Sequence, residues 1–147
     1  MRHRVVFDTN VLVSAVGWGG TPGRCVEFAQ NGRVTGITCA EILEELTEKL
    51  SAKLGFADDQ IDTVLASLMV ILEWVPIAGS LRASQPDPKD DKILECALAG
   101  RATHVVTGDQ KHLLPLRHFE GIAIITPAEM VQLVEKTLDT GQGPGSQ

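Results

Sequence analysis

In the stretch Arg4-Val-Val-Phe-Asp8-Thr-Asn-Val-Leu-Val-Ser-Ala15 the apolar pattern changes from that of a strand to that of a helix. Val5, Val6 and Phe7 form a short, continuously apolar run, as expected of a parallel strand covered on both faces. The run stops at Asp8, and apolar residues resume at helical spacing in Val11, Leu12 and Ala15. A strand therefore hands over to a helix, with Thr9 and Asn10 as natural N-cap residues. Asp8 then stands at the strand's carboxyl end, where open α/β sheets place their ligands. A lone aspartate there can equally just begin a turn, so the reading depends on whether the chain repeats the arrangement.

The repeat comes further on. Val105-Val-Thr107-Gly-Asp109 is a second apolar run ending in an aspartate. If the two strands are neighbours, both carboxylates overhang one sheet edge. Between them the periodicity predicts helices over residues 21–29 (with Thr21 as cap), 41–54 and 58–72, and strands over 34–38 and 74–77. The polar, proline-containing segment 79–89 reads as a loop. Asp87-Pro88 is a helix start, an N-cap followed by proline at the first helical position, and Gly100 ends that helix. A strand over 104–107, a short helix to about Arg117, a strand over 122–125 and a helix over 127–138 complete the order. Strands alternating with helices imply a parallel sheet covered on both faces. The expected organisation is one domain over residues 1–139, with a disordered tail over 140–147.

Composition sets the bounds. At 147 residues the chain suits one domain, and 44% hydrophobic residues with near-zero mean hydropathy exclude wholesale disorder. No apolar run reaches the length of a membrane span, and the amino terminus lacks a signal-peptide core, so a cytoplasmic protein without membrane contact is expected. Cys25, Cys39 and Cys96 are odd in number and widely spaced, which predicts buried reduced thiols. The net charge of −6 argues against a nucleic-acid partner unless acids cluster around cations. In that case Arg2, Arg4, Arg24, Lys49, Lys53, Lys89, Lys92, Lys111 and Arg117 can supply a basic rim, although each alone reads as ordinary surface.

Two further acids join the candidates. In the helix after Pro88, Asp90 falls on the line of Ile93, Leu94 and Ala97, whereas Asp91 is displaced to the flank. An acid on the inward line either completes a capping box with Asp87 or faces the sheet edge as a ligand. In the helix after the second strand, Glu45 lies closer to the apolar stripe than Glu44. Carboxylates converging without histidine or cysteine nearby make a hard oxygen site, suited to Mg²⁺ or Mn²⁺ rather than Zn²⁺. Such ions polarise phosphoryl oxygens and generate hydroxide for phosphodiester cleavage.

Four segments, Phe-Asp8-Thr-Asn10-Val-Leu-Val-Ser14, Glu41-Ile-Leu-Glu-Glu45-Leu, Asp87-Pro-Lys-Asp90-Asp91-Lys-Ile-Leu-Glu-Cys-Ala97 and Val105-Val-Thr107-Gly-Asp109, occur in this order. Together they resemble the PIN domain family of metal-dependent ribonucleases, particularly its toxin-type bacterial and archaeal branch. The resemblance implies a three-layer α/β/α sandwich with a five-stranded parallel sheet in the order 3-2-1-4-5. It implies catalytic, metal-binding acids at Asp8, Glu45, Asp90 and Asp109, supported by Thr9, Asn10, Thr107 and Asp91. It also implies Mg²⁺ or Mn²⁺ as cofactor, single-stranded RNA as substrate and an antitoxin protein as partner, while the helix over 58–72 offers a homodimer face. The alternative is a non-catalytic PIN scaffold that binds RNA or protein. A haloacid-dehalogenase-type phosphatase needs an acid where this chain has Asn10, and a response-regulator receiver needs a lysine where it has Thr126-Pro127.

Overall fold

The computed structural model describes residues 2–79 and 88–142. Its elements follow the alternation read from the sequence: β1 (Arg4–Phe7), α1 (Thr9–Trp18), α2 (Gly20–Gln30), β2 (Thr35–Thr38), α3 (Ala40–Leu54), α4 (Asp58–Ile71), β3 (Leu72–Trp74), α5 (Pro88–Ala99), β4 (His104–Val106), a 3₁₀ turn (Leu114–Leu116), β5 (His118–Phe119), β6 (Ile122–Ile125) and α6 (Pro127–Gln142). Among the described residues the sheet has six strands in the order β3-β2-β1-β4-β6-β5. Every pairing is parallel except that of β5 with β6.

Three differences from expectation have physical causes. β5 pairs only two residues with β6, and Arg117, Glu120 and Gly121 around it all take positive φ. A two-residue strand has no periodicity to read, so the expected fifth strand is in fact β6. β3 begins at Leu72, two residues earlier than expected, because the chain passes directly from α4 into the sheet. α6 continues through Gln142, beyond the expected tail boundary, and starts with a reciprocal cap in which the Thr126 N–H donates to Glu129 Oε1 (2.9 Å) and the Glu129 N–H to Thr126 Oγ1 (3.1 Å). The remainder of the expected tail, residues 143–147, lies outside the described residues, as do the Asp87 cap and most of the expected loop.

Successive strand residues face opposite layers, which β2 demonstrates. A Cβ on Gly36 would approach Leu72 Cδ2 to 2.4 Å and Ala29 of α2 to 3.2 Å. Ile37, one residue on, points to the other face, where its Cγ2 would lie 2.7 Å from a Cβ on Gly100 at the end of α5. α2 and α5 therefore cover opposite faces, and Cys25 of α2 donates its thiol to the Pro127 carbonyl at the start of α6. Between the layers Val5, Val6, Phe7, Ile37, Val105, Val106 and Ile124 are buried, together with Leu46 and Leu50 of α3 and Leu94 of α5. All three cysteines are free and buried. β1 lies between β2 and β4, so Asp8 and Asp109 leave adjacent strands at the same edge. No helix among the described residues is long and apolar enough to cross a membrane.

Candidate metal centre

The centre is built around the carboxyl ends of β1 and β4. The Asp8 N–H donates to the Val106 carbonyl (2.9 Å), which extends the β1 ladder by one residue. The Asp8 carbonyl then accepts from Val11 and Leu12, so Asp8 itself occupies the N-cap position of α1. This corrects the expectation that Thr9 or Asn10 caps the helix: both are already helical, which leaves their side chains for other partners. Thr9 is buried and donates to Glu45 Oε1 (3.2 Å), while Asn10 is exposed and accepts from Lys49 Nζ (2.8 Å).

Thr107 is fully buried one residue beyond β4. Its hydroxyl donates to Asp8 Oδ2 (2.7 Å) and accepts the Asp109 N–H (3.0 Å). Burial pushes the Asp8 carboxyl above its ordinary pKa, Glu45 adds to the rise, and the Thr107 hydroxyl and Lys49 oppose it. Asp109 turns the chain: its Oδ1 accepts the N–H groups of Lys111 and His112, each at 3.0 Å, and its carbonyl accepts from Leu114. With Oδ1 fixed in this way, Oδ2 is turned towards α5. There the first helical turn presents Asp90, only 8% exposed, whereas Asp91 is half-buried on the flank.

Glu45 has a different environment. Lys92 of α5 reaches its Oε1 (2.5 Å) and Lys49, one turn along α3, its Oε2 (2.9 Å). Burial raises the Glu45 carboxyl, but the hydrogen bonds and charges of Lys92 and Lys49 outweigh it and hold the pKa at about 2. Glu44 is exposed.

The expectation that no imidazole stands near the acids fails. His112 Nδ1 lies 3.4 Å from Asp109 Oδ2 and 3.6 Å from Asp90 Oδ2. Donor atoms of Asp90, Asp109 and His112 all fall within 4.8 Å of one another. Donors sharing one ion at roughly 2.1 Å sit about 3 Å or more apart, so this trio has the dimensions of a cation site. The four sequence-predicted acids are thus divided. Asp90 and Asp109 converge with His112, whereas Asp8 is held by Thr107 and Glu45 by two lysines. The signal for His112 was its three-residue distance from Asp109, which a tight turn folds back towards the carboxylate.

The expected basic rim is only partly present. Arg4 lies at the opposite sheet edge, bonded to Glu73 Oε2 (2.7 Å) and the Gly100 carbonyl, and Arg24 pairs with Glu135. Lys49 and Lys92 do stand at the acids, and Lys111 follows Asp109.

A family model described as PIN domain matches residues 4–111, most of the chain, which takes in Asp8, Glu45, Asp90 and Asp109 and stops one residue before His112. The chain belongs to the PIN domain family. Among solved structures, a chain in the crystal structure of VapBC2 from Rickettsia felis, bound to a DNA fragment from their promoter, is similar with a TM-score of 0.62 and 20% identity. The match covers 84% of this chain and 98% of that one, and at this identity it speaks for the PIN fold alone. The comparison with curated proteins found no match.

Proposed function

We propose that this PIN domain is a metal-dependent endoribonuclease that cleaves phosphodiester bonds of single-stranded RNA. The observation that carries the reading is the convergence of Asp90 and Asp109, with Asp109 tied through Thr107 to buried Asp8 at the carboxyl edge of adjacent parallel strands. Asp8, Glu45, Asp90 and Asp109 are the proposed catalytic acids, holding Mg²⁺ or Mn²⁺. When bound, such an ion polarises a phosphoryl oxygen and lowers the pKa of a water nucleophile. Thr107 orients Asp8 and positions Asp109 through one hydroxyl, while Thr9 orients Glu45. Asn10 steers Lys49, and Asp91 adds negative potential from the flank. Lys49, Lys92 and Lys111 are the cations placed to meet RNA phosphates despite the acidic chain.

An antitoxin protein as partner, in a cytoplasmic toxin–antitoxin pair, extends the proposal from the likeness to the VapBC2 structure. A homodimer through α4, where Met69 and Val70 stay exposed, extends it from the surface. One observation favours the non-catalytic alternative: Glu45 is already neutralised by Lys49 and Lys92, as in a site that no longer takes a metal. Melting the protein during a Mn²⁺ titration separates the two. A saturable rise in Tm supports the nuclease, because an ion that binds only the folded state stabilises it; a flat response supports the scaffold.

A further inference from the structure

The proposed nuclease needs only acids, yet the described cluster contains a nitrogen. His112 is placed by its backbone, whose N–H is bonded to Asp109 Oδ1 at 3.0 Å. The same carboxylate's other oxygen and that of Asp90 lie 3.4 and 3.6 Å from Nδ1. Both contacts are within ion-pairing reach, and neither is as short as a charge-assisted hydrogen bond of about 2.7–2.9 Å. The His112 Nδ1 is within reach of both acids, at the spacing of neighbouring donors on a shared ion, and its side chain is more exposed than that of either acid.

We propose that His112 Nδ1 is a metal ligand, which converts an all-oxygen site into a mixed nitrogen–oxygen site and shifts its preference from Mg²⁺ to first-row transition ions, Mn²⁺ included. Mg²⁺ is hard and keeps oxygen and water ligands, whereas imidazole raises affinity for first-row divalent ions. With Nδ1 on the ion, the ring proton resides on Nε2. The inference rests on the reading that the acids hold a cation.

The test is electron spin-echo spectroscopy of Mn²⁺-loaded protein, with calorimetric titration of Mn²⁺ and Mg²⁺, on the wild type, His112→Gln and His112→Asp. Wild type is expected to show ¹⁴N modulation from a directly bound imidazole, lost in both variants. His112→Gln is expected to bind Mn²⁺ roughly tenfold more weakly or worse, with Mg²⁺ affinity changed much less. His112→Asp restores an all-oxygen set and narrows the Mn²⁺ over Mg²⁺ ratio. Mn²⁺ binding without ¹⁴N modulation, or modulation that survives in His112→Gln, overturns the role of His112 and leaves the metal-dependent nuclease standing. Wild type that takes up no Mn²⁺ at millimolar concentration removes both.

Discussion

The Thr107 hydroxyl donates to Asp8 Oδ2 at 2.7 Å and accepts the Asp109 N–H at 3.0 Å, so one buried side chain ties together the two acids that leave β1 and β4. The parallel pairing of Val6 with Val105 and Phe7 with Val106 sets this register. A slip by one residue would turn Thr107 to the other face and leave the Asp8 carboxylate buried without this donor.

Thr107→Val keeps the shape and removes the hydroxyl. Leaving a buried carboxylate oxygen and a backbone N–H short of this partner is expected to cost about 1–3 kcal/mol, more than the loss of the bond alone. Chemical denaturation measures it. Thr107→Ser, which keeps the oxygen, is expected to recover most of the loss; equal losses in the two variants would assign the role to the methyl group.

Asp8 gives a stability prediction with a definite sign. Its folded pKa is raised, chiefly by burial, so the folded state holds the proton in a pH range where the unfolded chain has already released it. Stability from this group is therefore complete below its ordinary value of 3.8 and declines as pH rises through the folded value. At neutral pH without metal, Asp8→Asn removes a costly buried charge and is expected to raise Tm, each kcal/mol relieved giving about 2–4 °C in a chain of this size. A lower Tm at neutral pH would assign Asp8 a structural role.

Glu45 works in the opposite direction. Its folded pKa of about 2 lies below the ordinary 4.5 because Lys92 and Lys49 outweigh its burial. Its contribution is present above 4.5 and is lost as pH falls towards 2. Glu45→Gln is expected to melt below wild type at neutral pH, with the difference shrinking between about pH 5 and pH 3. A difference that does not change with pH would show that the lysine pairs are not its source.

The centre of the sheet was legible because β1, β4 and β6 are dominated by short apolar runs that end in residues that stop them. Val5 to Asp8 and His104 to Asp109 each announce a buried strand and the acid at its end. β5 was illegible since its two residues owe their pairing to a positive-φ turn at Glu120 and Gly121, which no hydrophobic pattern encodes. The N-cap was misplaced because Thr9 and Asn10 have the right side chains for capping, but the bond from the Asp8 N–H to Val106 fixes where the strand ends. His112 was missed for a related reason. Reading residues 110–117 as a short helix hid the turn in which the Asp109 carboxylate draws two successive N–H groups, Lys111 and His112, and brings the imidazole round to the acids.

Asp90 and Asp91 share a helical turn and can be told apart by metal binding. Both lie near the amino end of α5, where a carboxylate gains about 0.3–1 kcal/mol from the helix dipole, so Asp90→Asn and Asp91→Asn are expected to share that loss of stability. Asp90 is buried beside Asp109 and His112, and Asp91 stands on the flank. Calorimetry is expected to show Mn²⁺ binding abolished in Asp90→Asn and only modestly weakened in Asp91→Asn. The reverse order would place the inward face of α5 one residue later.

Whether these acids form a working nuclease site is read from cleavage of a labelled single-stranded RNA. Wild type, Asp8→Asn and Asp90→Asn are compared in Mg²⁺, in Mn²⁺ and in excess EDTA, with folding of each variant confirmed by melting. Cleavage by wild type in metal, lost in EDTA and reduced at least a hundredfold in both variants, is expected from transition-state stabilisation of about 2.7 kcal/mol or more. RNA hydrolysis that persists in EDTA or in folded Asp8→Asn, or no hydrolysis by wild type in either metal, would mean that these acids are not a metal-dependent nuclease site.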